Sequence, residues 1–156
     1  MDDLWLYAGQ LLQGAWVTVQ LALSSLVVGL ALGLVLAAGS LSRRTPLRRA
    51  MRLCTGLLRG IPEFLIVLVC YFGLSNLINN HLDGAMEISP FAAGVFALSI
   101  VFAAYASEVF RGSFAALPRG QIEAAQAFGL TPTQTFFAVR LPQAWRIALP
   151  SLGNLW

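Results

Sequence analysis

Lysine is absent from this 156-residue chain, histidine occurs once and cysteine twice. Charged residues make up 11% of the chain, against roughly 25% in ordinary soluble domains. That deficit argues against a conventional soluble domain and for a membrane environment. Cys54 and Cys70 are isolated, without CxxC or paired metal-ligand spacing. Neither a disulfide framework nor a zinc site is expected, and both read as small apolar residues in or near helices. His81 has no potential ligands around it in the sequence and reads as a loop residue. There is no Ser/His/Asp set, metal-ligand cluster or phosphate-cradling glycine-rich loop, so the sequence offers no catalytic constellation. The N-terminus carries Asp2 and Asp3, the wrong sign for a cleavable signal peptide.

What the chain has instead is long apolar stretches, 58% of its residues being hydrophobic. A bilayer core about 30 Å thick needs about 20 apolar residues of helix. No charge occurs between Leu4 and Ser42, and a first span is expected over about residues 13–40. A second is expected over about 60–79, with Glu63 near its start. A third is expected over about 89–110, opened by Pro90 where a helix tolerates proline. A fourth begins near Ala148. The fold class is therefore all-α, a polytopic helical membrane protein.

The ten basic residues, all arginine, set the orientation. Loops retained in the cytoplasm are enriched in Lys and Arg. The link between spans one and two, "SRRTPLRRAMR", holds five arginines, and Arg59 closes that segment. The N-terminus and the loop around "NNHLDGAME" hold none, whereas Arg111, Arg119, Arg140 and Arg146 follow the third span. If the spans alternate, every arginine falls on one side and the N-terminus lies outside. The net charge of +3 is then a topology signal, and nucleic acid is not expected as a partner.

The tract at about residues 118–142 is cytoplasmic on this scheme, and it is patterned as two short helices. The first is expected from about Gly120 to Phe128, with Gly129 in the left-handed position after its last turn. Thr131 caps the next helix, Pro132 fits its first position and Gln134 completes a capping box. Pro142 is expected to end this second helix at Leu141. Ile122, Ala125 and Gly129 share one side of the first piece; Phe136, Phe137 and Leu141 group on the second. Pattern alone leaves two readings open: an amphipathic hairpin resting on the membrane, or a docking surface for a partner.

The residues also carry a resemblance. "EAA", three residues, "G", nine residues, then "V-R-LP" resembles the EAA loop of permease subunits in bacterial ABC importers, with Val139 at the usual isoleucine position. "RGIPEFLIVLVCYFGL", "AYASEVFRGSFAALPRGQIEAAQAFG" and "LPQAWRIALPSLGNLW" extend the likeness to permeases for polar amino acids over essentially the whole chain. Among these it is most similar to the subunits importing histidine, lysine, arginine and ornithine, or related opines. The resemblance implies a type I ABC-importer permease (MetI-like) core in the bacterial inner membrane, alternating access, and no chemistry or cofactor of its own. ATP and Mg would be handled by an ATP-binding subunit. A second permease subunit, a periplasmic solute-binding protein and membrane lipid are the other implied partners. Carried over by position, Glu123, Ala124, Ala125 and Gly129 are the ATPase-contact residues. Permeases of this family commonly have further spans after the EAA loop, so the core is expected to be incomplete and the chain a fragment or truncation.

The solute pathway is less legible. Glu63 and Glu108 lie within about a turn of the arginine-rich boundary, and charge at membrane depth requires a reason. They either face headgroup water or pair with Arg59 and Arg111, or one lines the pathway and favours a cationic solute. Tyr71 and Tyr105 offer hydroxyls or ring faces to such a solute, or are interfacial tyrosines. "GLALG" (residues 29–33) matches the GxxxG packing pattern, which fits contact with a partner permease or packing within the chain. Alternatives from other classes are a structural or channel-like membrane protein, and a permease for another solute such as glutamine, an opine, a sugar or a metal chelate.

Overall fold

The computed structural model describes residues 3–81 and 89–155, with side chains for residues 7–73 and 89–155. All its regular elements are helical: α1 (Asp3–Ser40), α2 (Thr45–Gly60), α3 (Glu63–His81), α4 (Pro90–Ala115), α5 (Arg119–Ala127), α6 (Pro132–Thr135), a π-helical turn (Phe136–Arg140) and α7 (Leu141–Leu155). The greater part of the loop expected between spans two and three, residues 82–88, lies outside the described residues. His81, read as a loop residue, is the last residue of α3.

α1 and α4 are long and apolar enough to cross a membrane, and they form the main packing unit. A helix satisfies its own backbone polar groups, as the hydrocarbon region demands. α1 buries Ser25, Gly29, Gly33 and Ala37 against the protein, a spacing of four that stacks small residues along one side. α4 answers with Ala93, Ala97, Ala103, Ala104 and Ala106, all buried. The backbones come close: a Cβ on Gly33 would lie 2.9 Å from Ala106 Cβ and 3.2 Å from the Ala103 carbonyl oxygen. The Ser99 hydroxyl donates to the Ser25 carbonyl at 3.3 Å across the seam. Lipid tails are as apolar as leucine, so close backbone approach is what holds such helices together. The "GLALG" segment is thus occupied by this chain's own α4.

The arginine-rich link between the first two expected spans is a helix, α2, rather than a loop. Proline stands in its first turn, where a missing N–H costs nothing, and arginine is a good helix former. Pro62 then pushes Ile61 out of helical geometry; Ile61 is extended at φ −95°, ψ 138°. The chain turns there by 104° into the first part of α3. α4 opens on Pro90, with the Ser89 hydroxyl accepting from the Ala92 amide at 3.2 Å.

A second difference concerns Pro142. The expected break at Leu141 is absent: α6, the π-turn and α7 run on with helical dihedrals at Phe136 and Leu141. In the π-turn the Leu141 amide donates to the Phe136 carbonyl, five residues back. An α-helical proline lacks a donor and crowds the carbonyl four residues before it. The wider π-turn just ahead of Pro142 relieves that crowding. α7 therefore starts at Leu141, earlier than the fourth span expected near Ala148.

Candidate functional site

Two regions hold the residues singled out from the sequence. The first is the hairpin of α5 and α6. α5 ends in a Schellman arrangement: the Gly129 amide donates to the Gln126 carbonyl at 2.9 Å, and the Leu130 amide to Ala125 at 3.1 Å. Gly129 sits at φ +79°, a region that glycine occupies without a Cβ penalty. Thr131 then caps α6: its Oγ1 accepts from the Gln134 amide at 3.3 Å, while its own amide donates to Gln134 Oε1 at 2.9 Å. Both halves of the capping box are present.

The hairpin places Glu123, Ala124 and Gly129 outward, whereas Ala125 is buried against the chain. Sequence reasoning missed Phe128, which is 86% exposed and lies one helical turn beyond Ala124 on the same side. Its only signal was an aromatic side chain beside a glycine stop. The second group also divides: Phe136 packs inward beside Leu141, but Phe137, expected with them, is 63% exposed. Phe136 stacks on Phe114 of α4 with ring centroids 5.8 Å apart, and Arg140 lies over the same Phe114 ring. Phe110 of α4 stacks on Trp145 of α7, also at 5.8 Å. The π-turn that follows the hairpin thus meets α4 through Phe136 and Phe114, and α4 in turn meets α7 through Phe110 and Trp145.

The second region is a cavity of about 260 Å³ between α1, α3, α4 and α7. Glu63 and Tyr105 belong to the same lining, together with Ser25 and Phe102. Arg59 lies over the Tyr105 ring, 5.9 Å from its centroid. Glu108 is not in this cavity. Arg59 reaches it at 3.5 Å, and Arg111 holds both carboxylate oxygens, with Nε donating to Oε2 at 3.1 Å. Tyr71 packs edge-on against Phe72 on α3. The structure thus brings Glu63 and Tyr105 to one cavity and sets Glu108 in an arginine cluster beside it. Among the described residues no group of His, Cys, Asp and Glu is arranged to hold a metal ion.

Residues 29–156 match the family model for the inner membrane component of binding-protein-dependent transport systems. The chain is 40% identical to the histidine/lysine/arginine/ornithine transport system permease protein HisQ of Escherichia coli, covering 96% of this chain and 68% of that protein. It is 41% identical to the arginine ABC transporter permease protein ArtQ of the same species, over 94% and 68%. A nopaline transport system permease protein from Agrobacterium fabrum is 40% identical, over 96% and 66%. A crystal structure of an amino acid ABC transporter with histidines superimposes with a TM-score of 0.79 at 31% identity, covering 97% of this chain and 68% of that one. The chain therefore spans about two thirds of the length of these relatives. It belongs to the inner membrane components of binding-protein-dependent transport systems.

Proposed function

We propose that this chain is a permease subunit of a bacterial ABC importer for polar, cationic amino acids. It is multi-pass in the inner membrane with its N-terminus periplasmic. A periplasmic binding protein delivers the solute, a second permease subunit completes the pathway, and a separate ATP-binding subunit handles ATP and Mg. The permease itself supplies a conduit and no catalytic group.

The observation that carries this reading is the α5–Gly129–α6 hairpin. It turns Glu123, Ala124 and Phe128 outward while Phe136 ties it to Phe114 of α4. A low alanine surface lets a partner approach closely, and an exposed aromatic offers an anchor of the kind that dominates interfaces. Movement imposed on α5 then passes into α4 and α7 through the stacked rings. Ala125, though buried, sets the inner side of the helix whose outer side docks. Charge distribution supports the orientation, since every arginine lies in α2 and its approach or from Arg111 onward.

For the pathway, the Glu63 carboxylate beside Tyr105 suits a cationic solute. Glu108 carries less weight because Arg59 and Arg111 neutralise it, and Tyr71 is engaged with Phe72. The test of coupling is Gly129→Asp, expressed with the ATPase and binding protein of the same transport system. The variant is expected to insert and accumulate normally but to lose ATP-dependent uptake and co-purification of the ATPase. Normal uptake by this variant overturns the assignment.

A further inference from the structure

Tyr105 marks a change of chemistry along one face of α4. Leu98, Val101 and Tyr105 follow one another at helical spacing and all line the cavity that Glu63 shares. The next two positions on that face, at the same spacing, are Glu108 and Arg111. They line a second pocket instead, one of about 310 Å³ between α2 and α4, with Arg52, Thr55, Gly56 and Arg59. Arg59 stands where the two spaces meet. Its guanidinium lies over the ring of Tyr105, a residue of the first, and reaches Glu108, a residue of the second, at 3.5 Å. It also precedes Glu63 by four residues, across the bend at Ile61–Pro62.

The hold on Arg59 is light. Arg111 takes both Glu108 oxygens, so the carboxylate stays paired when Arg59 leaves. The Arg59 side chain is 36% exposed, and an ion pair at that exposure is weak. The pocket it lines gives it room to swing away from Tyr105.

The charges point one way. Arg52, Arg59 and Arg111 stand against the single carboxylate of Glu108, so this end of the cavity is positive while the cavity itself holds Glu63. A cation drawn to Glu63 meets like charge on its way past Tyr105, and like charges oppose its passage.

We propose that Arg59 is a charge gate at the arginine-rich end of the solute cavity. Latched on Glu108 and Tyr105, it opposes the passage of a cation; released into the α2–α4 pocket, it opens the way to the cytoplasm. The inference rests on the reading of the Glu63–Tyr105 cavity as the solute path, and it adds the side chain that closes that path.

Ala22 lines the cavity and supplies the probe position. Ala22→Cys is placed in a Cys54→Ser, Cys70→Ser background and expressed with the associated subunits of the transporter. Inside-out membrane vesicles then present the arginine-rich face to the reagent. Two methanethiosulfonates of similar size are compared, one carrying trimethylammonium and one sulfonate. The ratio of their labelling rates cancels differences in thiol reactivity and in the width of the opening. Arg59→Gln is expected to raise the cation-to-anion ratio about tenfold, the worth of one unit charge at about 6 Å and an effective dielectric of about 40. Arg59→Lys is expected to leave the ratio near the parent value, and Glu108→Gln, which removes the one negative charge, to lower it. An unchanged ratio in Arg59→Gln refutes the gate. So does a shift of both glutamine variants in the same direction, as loosened packing would produce. Arginine uptake by cells carrying the parent transporter is measured separately. Its absence, with the labelling ratios as expected, refutes the cationic solute and not the gate.

Discussion

Gly33→Ala tests the α1–α4 seam most directly, because the change adds one methyl group and its neighbours are known. The new Cβ would lie 2.9 Å from Ala106 Cβ, 3.2 Å from the Ala103 carbonyl oxygen and 3.3 Å from the Ser107 amide nitrogen. Carbon atoms pack at about 3.5–4.0 Å, so the helices must part by about 0.5–1 Å at this point. Two of the three neighbours are backbone and cannot rotate away. Overpacking of this kind costs about 1–3 kcal/mol, while removing a helical glycine returns about 0.5–1 kcal/mol. The net loss is therefore about 0–2.5 kcal/mol. Gly112 on α4 is the control, since nothing lies within 4 Å of a Cβ built there; Gly112→Ala is expected to stabilise by about 0.5–1 kcal/mol. Thermal unfolding in one detergent, followed by tryptophan fluorescence, reads both variants. Gly33→Ala above the parent stability, or the two variants shifting in the same direction, would refute close backbone approach as the basis of this seam.

Thr131→Ala removes the capping box and is expected to cost about 1 kcal/mol of local helix stability, seen as about fivefold faster hydrogen exchange at the Gln134 and Thr135 amides. Unchanged exchange there removes the cap from the account of the hairpin. Glu108→Gln strips Arg59 and Arg111 of their shared anion; with these side chains about one-third exposed, the loss is expected to stay below about 1 kcal/mol. It should still appear as faster tryptic cleavage after Arg59, and unchanged cleavage there would remove the Glu108 contact from what holds the Arg59 segment. Glu63→Gln is expected to slow arginine uptake relative to glutamine in a strain carrying the matching binding protein. Equal changes in both rates would take Glu63 out of solute selection.

The transmembrane character and the local chemistry of the hairpin were legible because each rests on short-range rules. Gly129 needs φ > 0, and Thr131 and Gln134 stand at the spacing a capping box requires. α2 was hidden for a physical reason. Its arginines serve both as a topology signal and as the polar arc of a helix, and counting them for the first purpose masks their periodicity. Pro62 carried the missing clue, since a residue before proline leaves helical geometry. Pro142 misled by the same rule, because a π-turn absorbs a proline that an α-turn would not tolerate. The inward burial of Ala125 and the outward turn of Phe128 depend on what packs beneath α5, which no local pattern encodes. Likewise, nothing in the sequence distinguishes Glu63 from Glu108. Only the fold sets one beside Tyr105 and the other between two arginines.

The Ser25–Ser99 hydrogen bond joins residues 74 positions apart, which has a consequence for biogenesis. At about 5–20 residues per second of synthesis, α1 enters the membrane about 4–15 s before its partner α4 has been made. Throughout that interval the glycine and alanine notch of α1 faces lipid or whatever insertion machinery shelters it. Assembly is therefore a docking step after insertion. Substitutions in the notch are expected to yield chains that reach the membrane, fail to pair, and are removed there by quality-control proteolysis.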